Sequence, residues 1–131
     1  MTYRSPVSEI RFILDHVVPL APVAATGMFA EATPETAEAV LEGAAKLCDE
    51  VLAPLRRAGD IHPARLENGV LRSPPGYREA FAAIAEGGWV ALAAGREHGG
   101  MGLPQALNVA VGEMMCGACM SLQTSPLLTQ G

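Results

Sequence analysis

The apolar positions of this chain recur at helical spacing, not in alternation. Val7, Ile10, Leu14 and Val17 follow one another at steps of 3, 4 and 3, which puts them on one helix face. Ser5 ahead of Pro6 reads as an N-cap followed by a first-turn proline. Pro19 and Pro22 end that helix, and 19–32 reads as a loop with little charge. The strongest pattern runs from Thr33 to Arg57. Thr33 caps and Pro34 opens the helix. Val40, Ala44, Leu47, Val51 and Leu55 form its stripe, with Leu41, Cys48 and Leu52 beside it. Pro54 is expected to kink or end the helix near its last turn.

The stretch from Ala58 to Gly76 is polar and punctuated. Asn68-Gly69, between Arg65-Leu66-Glu67 and Val70-Leu71-Arg72, signals a hairpin with a two-residue turn. A third helix is expected after Ser73, Pro74 and Pro75. Its face is Tyr77, Phe81 and Ile84 or Ala85, and Gly87-Gly88 stops it. Trp89 to Ala94 reads as either helix or buried coil. Glu97 to Pro104 is a glycine-rich loop, and Pro104 starts a fourth helix with Leu107, Val111, Met114 and Ala118 at steps of 4, 3 and 4. Between Leu103 and Met120 the only charge is Glu113, so this helix is expected to be buried on most sides. Residues 121–131 begin a fifth helix. The fold class is all-α, a helical bundle with a small hairpin near 65–72. It divides into an N-terminal extension helix and loop, 1–32, and a helical domain, 33–131, that reads as incomplete at its C-terminus.

Composition narrows the class. The net charge of −5 argues against a nucleic-acid binder working through a basic field. Half the residues are hydrophobic, 22 are alanine, and only 18% are charged against roughly 25% in ordinary domains. Such a chain is expected to need partner surface. Glu9 and Asp15 interrupt the early apolar run, so no leader peptide is read there. The uncharged stretch from Met114 carries Gly117, Ser121, Gln123, Thr124, Ser125 and Pro126 and makes a poor membrane span. Three cysteines without secretory context imply reduced thiols and a cytoplasmic location.

Several motifs invite chemistry. Cys116 and Cys119 have redox or half-zinc spacing. The third cysteine, Cys48, lies on a distant helix, and no strand precedes the pair, so they read as small, buried, reduced residues and no metal site is expected. Gly99-Gly100-Met101-Gly102 lacks the dinucleotide spacing and reads as a tight turn needing positive φ. His98 beside it is the one histidine with a functional reading. Glu113 is a lone acid that reads as bonded to backbone or arginine groups rather than as a raised-pKa base. Met114, Met115 and Met120 read as core.

These residues also carry a resemblance. Glu97-His-Gly-Gly-Met-Gly-Leu-Pro104, followed by Glu113-Met-Met, is similar to the N-terminal region of the acyl-CoA dehydrogenase family, with its E-x-G-G-x-G-L loop and following helix. Ala85-Glu-Gly-Gly-Trp-Val-Ala-Leu92 and Leu52-Ala-Pro-Leu55 extend the likeness. Tyr3-x-x-Pro6-Val7, Ile10-Arg-Phe-Ile-Leu14, Leu66-Glu-Asn-Gly-Val70 and Pro74-Pro-Gly76 resemble a longer subfamily. The likeness covers essentially the whole chain.

The resemblance implies an all-α N-terminal domain of a flavoprotein oxidoreductase that dehydrogenates acyl-CoA thioesters. It implies FAD as cofactor, an electron-transfer flavoprotein as acceptor, and a homo-oligomer when complete. The family's catalytic glutamate and most flavin contacts lie beyond the matching region, so this chain carries no catalytic or cofactor-binding residue by this reading, is expected to hold no FAD, and is inactive alone. Glu113 matches a helix acid, not the base. Leu122, Gln123, Pro126 and Leu127 match positions that wall the acyl pocket. Two readings of other classes stand beside it: a free-standing helical interaction module, and a thiol-redox protein built on Cys116 and Cys119.

Overall fold

A computed structural model describes residues 3–129. The N-terminal helix α1 spans Val7–Phe12 and continues as a wider π turn over Ile13–Val17. A short helix, α2, occupies Ala21–Ala24 within the segment expected to be loop. Helix α3 spans Pro34–Lys46. A π segment, Leu47–Leu52, joins it without a break to α4, Ala53–Ile61. The hairpin pairs β1, Arg65–Glu67, with β2, Val70–Arg72. Helix α5 is Tyr77–Glu86, and α6 runs from Gln105 to Thr129 with an internal bend. The all-α bundle with a small hairpin is therefore the observed fold. The expected fifth helix is the part of α6 beyond its bend; Gln130 and Gly131 lie outside the described residues, as do Met1 and Thr2.

Local chemistry explains most boundaries. Thr33 sits in extended conformation with its side chain accepting from the Thr36 amide at 3.2 Å, and Pro34 takes the first turn. Asn68 and Gly69 both have positive φ, 51° and 78°, as a tight right-twisted hairpin turn requires, and Glu67 pairs with Val70. Helix α5 ends at Gly87-Gly88. Gly88 is left-handed, its amide bonds to the Ala85 carbonyl, and the Trp89 amide reaches the Ile84 carbonyl. Trp89 to Ala94 is coil.

Other expectations fail for identifiable reasons. Ser5 does not cap α1: its amide and hydroxyl both donate to Asp49 Oδ1 at 2.9 Å, which ties the N-terminal segment to the π segment instead. Val17 is exposed. In the turn before it, bonds run five residues back, as from the Val18 amide to the Ile13 carbonyl, and the face drifts off the core after Leu14. The same effect turns Val51 outward, while Leu47 and Leu52, five apart, are both buried. Pro54 does not end the helix, which continues to Ile61; the widened turn ahead of it gives the ring its room. On α5 the inward positions are Ala80 and Ile84, and Phe81 faces solvent. The small Ala80 lets α5 approach closely.

The core lies around α6. Leu107, Val111, Met114 and Ala118 are fully buried, as the spacing predicts, and α6 packs on α3, the π segment and α4. Trp89 packs over α3 at Gly43, where a Cβ would come 3.0 Å from the indole. Cys48, in the π segment, is fully buried. Burial, with the nearby Asp49 charge adding, pushes its thiol up to about 12. Between the ordinary value of 9.0 and about 12 the unfolded chain releases this proton and the folded chain keeps it, so stability falls with rising pH across that window.

Thr33→Ala is expected to lower unfolding free energy by ~1 kcal/mol in urea titrations followed by Trp89 fluorescence; no change would show that the cap contributes nothing. Cys48 is expected to resist thiol reagents at pH 8 until the chain unfolds, while half-buried Cys116 labels first. Labelling of Cys48 at the rate of a free thiol would contradict its burial.

Candidate functional site

The bend in α6 and the loop that leads into it gather the residues singled out by sequence. The glycine-rich loop is closed upon itself. All six amides from His98 to Leu103 bond to nearby carbonyls: His98 and Gly100 to Gly95, Gly99 to Arg96, Met101 to Ala91, Gly102 to Ala94 and Leu103 to Leu92. Gly99 and Gly102 have positive φ, and Gly100 lies so close to the Ala94 carbonyl that no side chain fits there. The loop is the tight turn that the sequence predicts. With its amides spent, the loop has no backbone donors from His98 to Leu103 left to turn toward a phosphate.

The loop's charged residues are structural or solvated. Arg96 forms an ion pair with Glu31, fastening the segment ahead of α3 to the loop; each lifts or lowers the other's pKa toward the charged form. His98 is exposed, and its Nε2 lies 3.8 Å from the Glu97 carboxylate.

Helix α6 is not enclosed on most sides. Val109, Glu113 and Met120 follow one another at steps of 4 and 7 along an outward strip, with half-buried Cys116 between. Val109 is 58% and Met120 65% exposed. Glu113 therefore stands in solvent, and the bond to backbone or arginine expected of it is not formed among the described residues. Met114 and Met115 are core; Met120 is not. Cys119 is buried, Cys116 only half so, and both thiols are free. Among the described residues no group of three metal-ligating side chains comes together.

The bend itself is at Cys119, whose backbone leaves the helical region at φ −156°, ψ 82°. Beyond it, three of the four residues expected to wall the acyl pocket face into the domain. Leu122 and Pro126 are buried, and Gln123 is 7% exposed with its Oε1 lacking a protein partner among the described residues. Leu127 points outward, 54% exposed, beside Leu128 at 74%. Thr124 Oγ1 donates to the Met120 carbonyl at 2.9 Å and steadies the first turn after the bend.

Sequence reasoning missed the groups that hold α6 in place. Tyr3 Oη donates to the Met114 carbonyl at 2.9 Å, and its ring lies against Gly117, where a Cβ would come 2.8 Å from it. Tyr77 bonds to Ser121 at 2.6 Å. Gly117 was the available signal, because a glycine inside a helix costs ~1 kcal/mol against alanine and so marks a close approach.

A family profile described as acyl-CoA dehydrogenase, N-terminal domain, matches residues 34–131. The chain is 40% identical over 131 residues to 3-methylmercaptopropionyl-CoA dehydrogenase of Ruegeria pomeroyi. That alignment covers 100% of this chain, residues ahead of α3 included, and 22% of the relative's length. The profile match over α3 to α6 and this relative place the chain in the acyl-CoA dehydrogenase family, as its N-terminal helical domain.

Proposed function

We propose that this chain serves as the N-terminal helical part of an FAD-dependent acyl-CoA dehydrogenase, walling the acyl pocket and packing against a flavin domain outside these 131 residues. The observation that carries this reading is the outward apolar surface of α6. Val109, Met120, Leu127 and Leu128 are exposed on a helix whose one charged residue is Glu113. Exposed apolar side chains at this density on one element mark a surface meant to be covered.

In this proposal residues 1–32 form an extension that braces the domain of 33–131. Leu122, Gln123 and Pro126 form the firm backing of the wall, and Leu127 meets the acyl chain. The unpartnered Gln123 carbonyl gives the wall one polar group to offer a ligand or a water. The abstraction of a proton and the transfer of a hydride belong to groups outside this chain. The glycine loop, its amides consumed, supports a purely structural role toward the rest of the enzyme.

The relative's substrate, by its name, is 3-methylmercaptopropionyl-CoA. A short acyl-CoA thioester of that kind is the substrate class proposed here, with an electron-transfer flavoprotein as acceptor and a homo-oligomer as the working state. Three free cysteines fit a cytoplasmic place, and among the described residues no helix is long and apolar enough to cross a membrane.

The test is a hybrid enzyme in which this chain replaces the matching segment of the Ruegeria pomeroyi protein. The hybrid is expected to purify with flavin and to reduce an electron-acceptor dye with 3-methylmercaptopropionyl-CoA, while the 131-residue chain alone does neither. A near-stoichiometric flavin spectrum on the chain alone, or a hybrid without flavin or turnover, would contradict the proposal.

A further inference from the structure

Helix α6 changes direction at a residue whose own chemistry does not ask for it. Sharp bends arise at proline, at glycine or serine, at π turns, or where a side chain enters the hydrogen-bond ladder. Cys119 is none of the first three. Pro126 removes an amide whose helical partner is the Leu122 carbonyl, past the bend, so it does not account for it.

Tertiary contacts do account for it. Tyr77 Oη lies 2.6 Å from Ser121 Oγ and 3.6 Å from Cys119 Sγ, and Cys119 Sγ lies 3.6 Å from Ser121 Oγ. The three groups close a triangle. In a regular helix, residues two apart do not face one another, so Cys119 and Ser121 meet only because the backbone between them is bent. The phenol reaches this point over α4 at Gly59, where a Cβ would come 2.9 Å from the ring carbon Cζ and overlap the hydroxyl. Gly59 thus opens the passage, and Tyr77 from α5 inserts a hydroxyl where α6 has lost its regular ladder. Burial raises the phenol's pKa, with the Ser121 bond acting against it and the Cys119 thiol adding to it. Tyr77 therefore remains a protonated donor at neutral pH.

The geometry points to the Tyr77–Ser121–Cys119 triangle as the device that fixes the bend of α6, and thereby sets where Leu127 stands in the acyl pocket. Tyr77 and Ser121 are positioning residues that determine acyl-chain specificity. Only this last step rests on the proposed function; the bend itself belongs to the chain alone. A wall displaced by one helical turn's tilt changes the room left for methylene groups, each of which is worth roughly 10-fold or more in discrimination.

Two variants test it. Tyr77→Phe keeps the ring and removes the hydroxyl; Ser121→Ala changes an exposed position and leaves the core intact. Backbone carbon chemical shifts over residues 117–123 report φ and ψ directly. In the native chain Cys119 is expected to show non-helical shifts between helical neighbours. In both variants these move toward helical values, and Ser121→Thr, which retains the hydroxyl, restores the native pattern. Unchanged Cys119 shifts in Tyr77→Phe and Ser121→Ala would overturn the proposal. In the hybrid enzyme, Tyr77→Phe is expected to shift the ratio of kcat/KM for octanoyl-CoA to butanoyl-CoA by about 10-fold, mainly through KM, with Ser121→Thr at the parental ratio. Moved shifts with an unmoved ratio would overturn the specificity role. An inactive hybrid would count against the proposed function, while the carbon shifts would still decide the triangle.

Discussion

The whole domain depends on covering one helix. Helix α6 carries leucine, valine, methionine and alanine on its inner side and has a single charged residue, Glu113. Left in water, it would expose several side chains each worth roughly 1.5–3 kcal/mol of burial. The continuous helix from Pro34 to Ile61 meets this need along most of its length, and α5 closes over the bend. Small residues make the approach close: Ala44 on α3, Ala80 on α5, and Ala110, Ala118 and Gly117 on α6. Dense packing of this kind is the source of rigidity in an interior.

The extension, the glycine loop and α5 pack apolar side chains such as Ile10, Leu14, Leu103 and Ile84 into the core, and polar bonds fasten them further. Asp49 holds Ser5, Tyr3 reaches the Met114 carbonyl, and Glu31 grips Arg96. The glycine loop is stitched to residues 91–96 by its own amides. These ties bring the extension, the loop and α5 to bear on α6 without adding to the apolar core. The result is a helix end with Leu122 and Pro126 packed inward, whose outward leucines, Leu127 and Leu128, are presented rather than buried.

The sequence made much of this legible where local chemistry decides. Thr33-Pro34, Asn68-Gly69 and Gly87-Gly88 each carry a cap, turn or stop whose geometry depends on a few adjacent residues, and each appears as read. The stripe from Leu107 to Ala118 was equally clear, because no widened turn interrupts it. Legibility was lost at the two π turns, where one extra residue per turn moved Val17 and Val51 off the core face. It was lost again where distant residues compete for one group. Asp49 takes the Ser5 hydroxyl from its capping role, and the break expected ahead of 121 gave no sign of the Tyr77–Ser121 contact that meets α6 there. Among the four residues expected to wall the acyl pocket, the burial of Leu122, Gln123 and Pro126 and the exposure of Leu127 depend on the direction of α6 past Cys119, which no local pattern encodes.

Native-state amide hydrogen exchange in rising denaturant tests most directly whether α6 is the element on which the fold depends. The account predicts that the amides from Leu107 to Ala118 exchange only through global unfolding, with the same free energy that Trp89 fluorescence reports, while those of Val7–Val17 and the hairpin open earlier. Exchange of the α6 amides ahead of those in α3 would contradict it.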